Sequence, residues 1–215
     1  MKNNKVMLLG ASFLLVALFV AAAGWYRGQS SRETTATAVD DSLLVRPYSP
    51  REGPENAPVT IVEFFDPECE ACRSMYPVVK RVMAEFDGQV RLVLRYLAFH
   101  KNSGYAIAIL ESARRQGKYR EALAELFVRQ PEWGSHENPR PELIMTYMKV
   151  LGLDTEMLAT AAKDSEHESK IAQDREDAEK LGVAQTPTFF VNGKELKKLG
   201  YEELKSAVQE ALKSK

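Results

Sequence analysis

Two cysteines that stand three positions apart constrain this chain more than any other feature. Cys69 and Cys72 are the only cysteines among its 215 residues. At positions i and i+3 of one helix they share a face, and their spacing suits a disulfide. A bridge across so short a loop stabilises a fold by roughly 2 kcal/mol on the chain-entropy estimate, against more than about 4 kcal/mol for a long loop. A pair that opens and closes is therefore better motivated than a structural bridge.

Segments of strand-like composition flank the cysteine pair. Residues 58–65 read PVTIVEFF and are rich in β-branched and aromatic side chains, while Val90 to Phe99 alternates apolar and charged residues. Between them, a helix is predicted from about Cys69 to Phe86. The order strand–helix–strand predicts a parallel pair of strands.

A long helical block follows, because from about Asn102 to Leu181 the apolar residues recur at helical spacing. Residues 131–141 interrupt the block and are predicted to form a loop that contains Trp133. The predicted helices are Gly104–Gln116, Tyr119–Arg129, Pro141–Leu151, Thr155–Lys163 and Ser165–Leu181.

Strands return after the helical block. Thr188–Val191 and Glu195–Leu199 flank Asn192 and Gly193, a dipeptide typical of a tight hairpin turn. Tyr201–Lys213 is predicted to be a closing amphipathic helix. The order of elements is thus βαβ, a helical block, and ββα.

The N-terminus has the pattern of an export signal. Lys2 and Lys5 precede an uncharged run from Val6 to Tyr26, which is close to the length that spans a bilayer. An uncleaved transmembrane helix that anchors the chain to the inner (cytoplasmic) membrane is favoured, whereas a signal peptide cleaved after Ala23 is the alternative. The two lysines place the N-terminus in the cytoplasm and the rest of the chain in the periplasmic or extracytoplasmic space, where disulfides persist.

Composition argues against several other classes of protein. A formal net charge of −1 provides no strong field for nucleic acid. Zinc usually takes four ligands, and the three histidines do not stand at a ligand-like spacing from the cysteines or from one another. Covalent haem attachment needs a histidine at position 73, which is Arg73. No metal, cofactor or nucleic-acid partner is predicted.

Residues around the cysteine pair resemble the thioredoxin superfamily, and specifically its disulfide-forming, DsbA-like branch. The run 62–65 before the pair is similar to the family's first central strand. Glu63, six residues before Cys69, matches the buried acid of the family. Pro77, five residues after Cys72, matches the proline in the family's active-site helix.

The resemblance extends over residues 58–213. The segment 181–193, with Thr186 and Pro187, is similar to the family's cis-proline loop and the hairpin after it, and the helical block distinguishes the DsbA-like branch from plain thioredoxins. It implies an α/β thioredoxin fold, in which a central mixed sheet is flanked by helices and carries an inserted helical domain. The implied organisation is an N-terminal signal anchor or signal peptide (1–26), a linker (27–57), the first half of the thioredoxin fold with the cysteines (58–100), the helical insertion (101–182) and the second half with the cis-proline loop (183–215).

The position of each cysteine predicts its role. A helix N-terminus favours a thiolate, so Cys69 is expected to be the exposed nucleophile and Cys72 the more buried, resolving thiol. The cycle would run through attack, a mixed disulfide and release by the second sulfur. Glu63 lies in a near-continuous apolar run, which favours burial and a raised pKa; as an acid/base it would exchange a proton with Cys72. The alternative is that Glu63 faces solvent at a strand edge.

The resemblance also implies how a substrate is held. A cis bond before Pro187 would turn the backbone of Thr186 toward the cysteines, where it can hydrogen-bond an extended substrate chain. The Thr186 hydroxyl is an open candidate for tuning the thiolate. His100 is interpreted as a structural or surface residue rather than a catalytic base, and Trp133 as either a substrate contact or a core residue.

The dipeptide between the cysteines departs from the best-known DsbA proteins, which carry a histidine there. This chain has Glu70 and Ala71, and Asp66 and Glu68 add further negative charge nearby. Arg73 and the helix dipole act in the opposite direction. We therefore expect Cys69 to be acidified less than in those proteins, and the chain to be a weaker oxidant.

Three functions remain open at this point. The first is an oxidoreductase that introduces disulfides into exported, cysteine-containing proteins as a monomer and is re-oxidised by a membrane redox partner. The second is a reductase or isomerase that a membrane donor keeps reduced. The third is a copper-handling protein, since soft thiolates suit Cu(I), with Met75 next to the pair.

Overall fold

A five-stranded mixed sheet forms the centre of the computed structural model, which describes residues 41–214. The strands are β1 (Arg51–Glu52), β2 (Val59–Phe65), β3 (Val90–Tyr96), β4 (Thr188–Val191) and β5 (Lys194–Glu195). Their order in the sheet is β1-β3-β2-β4-β5. β2 and β3 are parallel, and the other neighbouring pairs are antiparallel. The predicted parallel pair is therefore confirmed.

Helices cover both faces of the sheet. Over residues 41–214 they are α1 (Asp41–Leu44), α2 (Glu70–Glu85), α3 (Ser103–Arg115), α4 (Tyr119–Trp133), α5 (Leu143–Val150), α6 (Thr155–Ala161), α7 (Glu166–Lys180) and α8 (Tyr201–Lys213). The helices α3 to α7 all lie between β3 and β4 in the chain. A central mixed sheet flanked by helices, with a helical insertion, is the predicted thioredoxin fold.

The alternation of side chains along β2 builds two cores, because successive residues of a strand point to opposite faces. Ile61 and Phe65 belong to the larger core, which α2, α8 and the helical insertion cover. Val62 and Phe64 belong to a smaller core on the other face, where Ala178 of α7 packs. Both faces of the strand are buried, as its continuous apolar run predicts.

Several element ends differ from the prediction. β3 ends at Tyr96 rather than Phe99, because the backbone N–H of Phe99 donates to the carboxylate of Asp66 and leaves the sheet. The helix α4 continues through Pro131 to Trp133, where a loop was predicted. The indole of Trp133 is fully buried and donates to the carbonyl of Leu126, which keeps the last turn helical. Of the two alternatives for Trp133, the structure shows the core position.

The region 41–57 packs onto the sheet although residues 27–57 were predicted to be a linker. The side chain of Leu44 is 1% exposed, and β1 pairs with β3. Arg46 forms a two-pronged hydrogen bond with Asp177 of α7. This part of the predicted linker is therefore an element of the fold, held both by β3 and by α7, whose Asp177 lies 131 positions after Arg46.

The predicted signal anchor (1–26) and the remainder of the linker lie outside the described residues. Within residues 41–214, no helix combines the length and the apolar character needed to cross a membrane.

Candidate active site

The two cysteines lie at the start of α2, beside the ends of β2 and β3. Cys69 is the N-cap residue of the helix, and Cys72 is in its first turn. Cys72 is fully buried, while Cys69 retains 8% exposure. Both are free thiols. The parallel strands β2 and β3 end here, so the loops that follow them converge on the cysteines.

The Cys69 thiol is acidified by its surroundings. Its pKa is lowered to about 5, chiefly by the hydrogen bond from Cys72, with further hydrogen bonds from the Thr186 side chain and the backbone of Ala71 and Cys72. Burial acts in the opposite direction but is outweighed. As a thiol, Cys69 also donates from Sγ to the Thr186 carbonyl oxygen over 3.4 Å. The backbone N–H groups of Ala71 and Cys72 lie at the start of α2, where unpaired N–H groups and the helix dipole favour the ionised sulfur.

The Cys72 thiol has the opposite character. Burial raises its pKa far above the usual range, and the hydrogen bond to Cys69 and the charges of Glu63 and Cys69 raise it further. The backbone N–H of Asp66, 3.5 Å from Cys72 Sγ, acts weakly the other way. One sulfur of the pair thus ionises easily and is partly accessible, while the other holds its proton and is enclosed.

Glu63 is a buried carboxyl on the face of β2 that carries Ile61 and Phe65. It is 5% exposed, and burial, followed by the charge of Cys69, raises its pKa to about 8. No hydrogen bond or ion pair of its side chain is found within residues 41–214. A cavity of about 20 Å³, lined in part by Tyr76 and Tyr119, lies beside it, which is enough for one water molecule. Of the two alternatives for Glu63, the structure shows burial.

The loop before β4 lies against the cysteines. The peptide bond between Thr186 and Pro187 is cis, and Pro187 is buried while Thr186 is partly exposed. β4 pairs with β2, with Thr188 opposite Phe64, so the loop reaches the level of the cysteines at the end of β2. The hydroxyl of Thr188 donates to the carbonyl of Gln185 over 2.8 Å and closes the turn.

The acidic residues near Cys69 are arranged in two different ways. Glu70 is exposed, as is Ala71. Asp66 and Glu68, in contrast, are buried and point at the start of α3. The carboxylate of Glu68 accepts from both the backbone and the side-chain nitrogen of Asn102 over 2.7 Å. These two carboxylates therefore tie the cysteine loop to the helical insertion.

Gln130 of α4 is a site residue that sequence reasoning missed. Its side-chain nitrogen donates to the backbone oxygens of Pro67 (2.8 Å) and Cys69 (3.0 Å), and the residue is 2% exposed. A polar residue on an amphipathic helix carries no sequence signal of this role, since the contact joins residues 61 positions apart.

The third alternative, a copper-handling protein, would need a cluster of metal ligands. Among residues 41–214, no group of three or more His, Cys, Asp or Glu side chains is placed to hold a metal ion.

A thioredoxin fold with two unequal thiols at a helix start, facing a cis-proline loop, defines a thiol–disulfide oxidoreductase. Residues 46–210 match the family model described as Thioredoxin, and the chain belongs to that family. It is similar to a thioredoxin-like oxidoreductase from Silicibacter pomeroyi, with 31% identity, a TM-score of 0.70, and coverage of 80% of this chain and 97% of that one.

Two further proteins are similar to this chain over most of their own length. BdbD from Bacillus subtilis, in its oxidised form, is 26% identical with a TM-score of 0.69, over 77% of this chain and 93% of that one. A probable disulfide bond formation protein D from Bacillus cereus is 26% identical over 99% of this chain and all of its own length. The chain is accordingly a DsbA-like protein thiol–disulfide oxidoreductase.

Longer proteins also carry a stretch similar to this chain. The sodium/proton antiporter NhaA 3 of Salinispora tropica is 31% identical over 88% of this chain, which spans only 29% of the antiporter's length.

Proposed function

We propose that the chain introduces disulfides into exported proteins that contain cysteines. In the oxidised form, a substrate thiolate attacks Cys69 Sγ of the Cys69–Cys72 bridge. The bridge breaks, Cys72 leaves as a thiolate and takes up a proton, and a mixed disulfide joins substrate and Cys69. A second substrate thiolate then attacks the substrate's own bridged sulfur and releases Cys69 as a thiolate. The substrate loses two electrons, and the cysteine pair gains them.

The contrast between the two thiols carries this proposal. A Cys69 thiolate, with a pKa of about 5, is a good leaving group and stabilises the reduced protein. A protein whose reduced form is stable passes its disulfide to others. The pKa falls between about 7 for thioredoxin and about 3.5 for DsbA, so we expect an oxidant of intermediate strength. This agrees in direction with the expectation from Glu70 and Ala71.

Glu63 serves in this proposal as the acid/base of the buried sulfur. Cys72 is too enclosed to exchange protons with solvent directly. A carboxyl with a pKa of about 8 can deliver a proton to the leaving Cys72 near neutral pH and take it back during re-oxidation. The charge of Glu63 acts on Cys72, which supports this assignment. The cavity beside Glu63 would let one water connect the carboxyl with its surroundings.

Thr186 and Pro187 hold the substrate chain. The Thr186 carbonyl lies 3.4 Å from Cys69 Sγ, so an extended peptide joined to Cys69 passes directly along this backbone. Main-chain hydrogen bonds to Thr186 give affinity without sequence selection. Because Pro187 has no backbone N–H, it adds no donor that would compete with Thr186 for the substrate backbone.

The proposed setting is the extracytoplasmic side of a bacterial membrane, with a membrane redox partner that re-oxidises the cysteine pair and with the chain acting as a monomer. The N-terminal lysines and apolar run support anchored export. The Bacillus cereus relative is named as a probable disulfide bond formation protein D, which supports the oxidising direction. The transport activity of the antiporters is a property of those whole proteins, of which this chain spans less than a third.

The reduction potential tests this proposal. The full chain is equilibrated in glutathione buffers, and the two redox forms are counted by thiol alkylation. A value between about −180 and −120 mV identifies a disulfide donor, whereas a value near −270 mV, as in thioredoxin, supports a reductase or isomerase instead.

A further inference from the structure

His100 stands between the end of β3 and the start of α3, close to the cysteine pair. Its side chain is 31% exposed, so solvent protons reach it. Its Nδ1 lies 2.8 Å from Asp66 Oδ2. Asp66 is three residues before Cys69, in the loop that joins β2 to α2. The contact therefore joins the end of β3 to the loop that carries the nucleophile.

The carboxylate of Asp66 is surrounded by donors. Oδ2 accepts from the backbone N–H groups of Phe99 (2.8 Å) and His100 (3.2 Å) in addition to the imidazole. Oδ1 accepts from the backbone of Glu68 (2.8 Å) and from the hydroxyl of Ser103 (2.5 Å). Three of these donors are backbone N–H groups, which can only donate, so both oxygens of Asp66 act as acceptors. This carboxylate lies in the loop that carries Cys69.

The backbone of Asp66 contacts both cysteines. Its N–H points at Cys72 Sγ over 3.5 Å, and its carbonyl accepts from the Cys69 N–H over 3.1 Å. A buried negative charge in this position disfavours a second negative charge on Cys69. Glu68 adds to the same field. A positive charge close to these two carboxylates would weaken their field and add to the hydrogen bonds that lower the pKa of Cys69.

We propose that His100 is a positioning residue which, as an imidazolium held on Asp66, supplies the positive charge that offsets the buried carboxylates and stabilises the Cys69 thiolate. This rests on the proposed function, in which Cys69 is the ionising thiol. It also gives the chain the histidine charge that its Glu70-Ala71 dipeptide lacks, from the end of β3 instead of from within the cysteine motif.

The groups that face His100 support this role. Asp66 and Glu68 face it from the cysteine loop, Cys69 from the start of α2, and the ring of His136 lies 5.9 Å away on the segment after α4. Burial lowers the pKa of His100, but the hydrogen bond and charge of Asp66, followed by the charges of Cys69 and Glu68, outweigh it and raise the pKa overall. Lys101 follows in the chain and is exposed.

The coupling must be reciprocal, which makes it measurable. If protonated His100 favours the Cys69 thiolate, the thiolate favours protonated His100 to the same extent. Conversion to the disulfide removes the sulfur's charge. The pKa of His100 is therefore higher in the reduced chain than in the oxidised chain, and the thiolate loses support as pH rises through that range.

The test is an NMR titration of the histidines in both redox forms of the full chain. With His100, His136 and His167 as the only histidines, the signals are assigned by single substitution. We expect the His100 midpoint to move up by about 0.5 unit on reduction, a threefold gain in proton affinity. His167, on α7, is the internal reference. Equal midpoints in the two forms would overturn the inference.

Substitution provides the second arm. His100→Asn can still hydrogen-bond Asp66 but carries no charge, and His167→Asn, on α7, is the matched control. The Cys69 pKa is measured by thiolate absorbance in a Cys72→Ser background. We expect His100→Asn to raise this pKa, with a gain of about threefold in the proton affinity of Cys69, and we expect the control to leave it unchanged. If the Cys69 pKa is low and His100→Asn does not raise it, this inference is refuted while the proposed function is not. If the Cys69 pKa is already ordinary in the Cys72→Ser chain that retains His100, the proposed function itself is contradicted.

Discussion

The side-chain nitrogen of Gln130 donates to the backbone oxygen of Cys69 over 3.0 Å. The same nitrogen reaches the Pro67 carbonyl, and the Gln130 side-chain oxygen is buried without a partner among the described residues. One amide of the helical insertion thus holds two carbonyls of the loop that carries the nucleophile. The insertion contributes to the geometry of the cysteines as well as covering the sheet.

Replacing Gln130 should therefore affect both stability and exchange. Gln130→Leu leaves two buried carbonyls without this donor, which we expect to lower the free energy of unfolding by about 1–3 kcal/mol. Disulfide exchange with a model peptide should slow several-fold, because the Cys69 loop is less firmly held. Gln209→Leu, at an exposed position of α8, is the control and should change neither quantity appreciably. Unchanged exchange in Gln130→Leu would show that the loop keeps its geometry without the amide.

The two cysteines should behave differently when each is replaced by serine. In the reverse direction, the Cys69 thiolate of Cys72→Ser can attack a disulfide in a substrate, but no second thiol of the chain can then release it, so adducts should accumulate on non-reducing gels. Cys69→Ser leaves only the enclosed thiol, whose pKa is raised, and should form no adduct. Adducts in Cys69→Ser but not in Cys72→Ser would reverse the two assigned roles.

Glu63 should contribute a term to the stability of the reduced protein that falls as pH rises. Its folded-state pKa of about 8 lies above its usual value of 4.5, so between these pH values the folded chain holds a proton that the unfolded chain has released. Glu63→Gln should remove this term and increase the free energy of unfolding at pH 8 by on the order of 4 kcal/mol, with little change at pH 4.5. Denaturant unfolding of the reduced protein measures this, with the exposed Glu210→Gln as control.

The pKa shift of Cys69 acts on stability in the opposite direction. Its folded-state pKa of about 5 lies below its usual value of 9, so ionisation stabilises the reduced fold increasingly from pH 5 to 9. In the wild-type protein the two slopes oppose each other between pH 5 and 8. Reduced Glu63→Gln should therefore become more stable across this range, while wild type changes little. A flat profile in Glu63→Gln would contradict the low Cys69 pKa.

The buried charges behind the sheet should govern stability but not redox behaviour. Arg95 of β3 is fully buried and pairs with Asp174 and Asp177 of α7. Arg95→Leu leaves two carboxylates in the interior with one partner fewer, which should cost about 3–5 kcal/mol. Arg175→Leu removes an exposed pair on the same helix and should cost less than about 1 kcal/mol. The reduction potential should be unchanged in both variants, since neither residue contacts the cysteines.

Local patterns were enough to predict much of the fold. The apolar run of β2 is buried on both faces, and β4 and α8 have the predicted bounds, because burial and helical periodicity are written in neighbouring residues. Element ends were harder. The loop predicted at Pro131 gave way to a helical turn because the buried indole of Trp133 outweighs a local breaker.

The sequence by itself determined the cysteine pair, the acid six residues before it and the loop with Thr186 and Pro187, since each depends on residue types at fixed short spacings. Only the tertiary structure decided what surrounds them. Gln130 reaches Cys69 across 61 positions, and His100 reaches Asp66 across 34. Such contacts exist only once the strands and helices have packed, and the charges they bring together set the pKa values on which the chemistry depends.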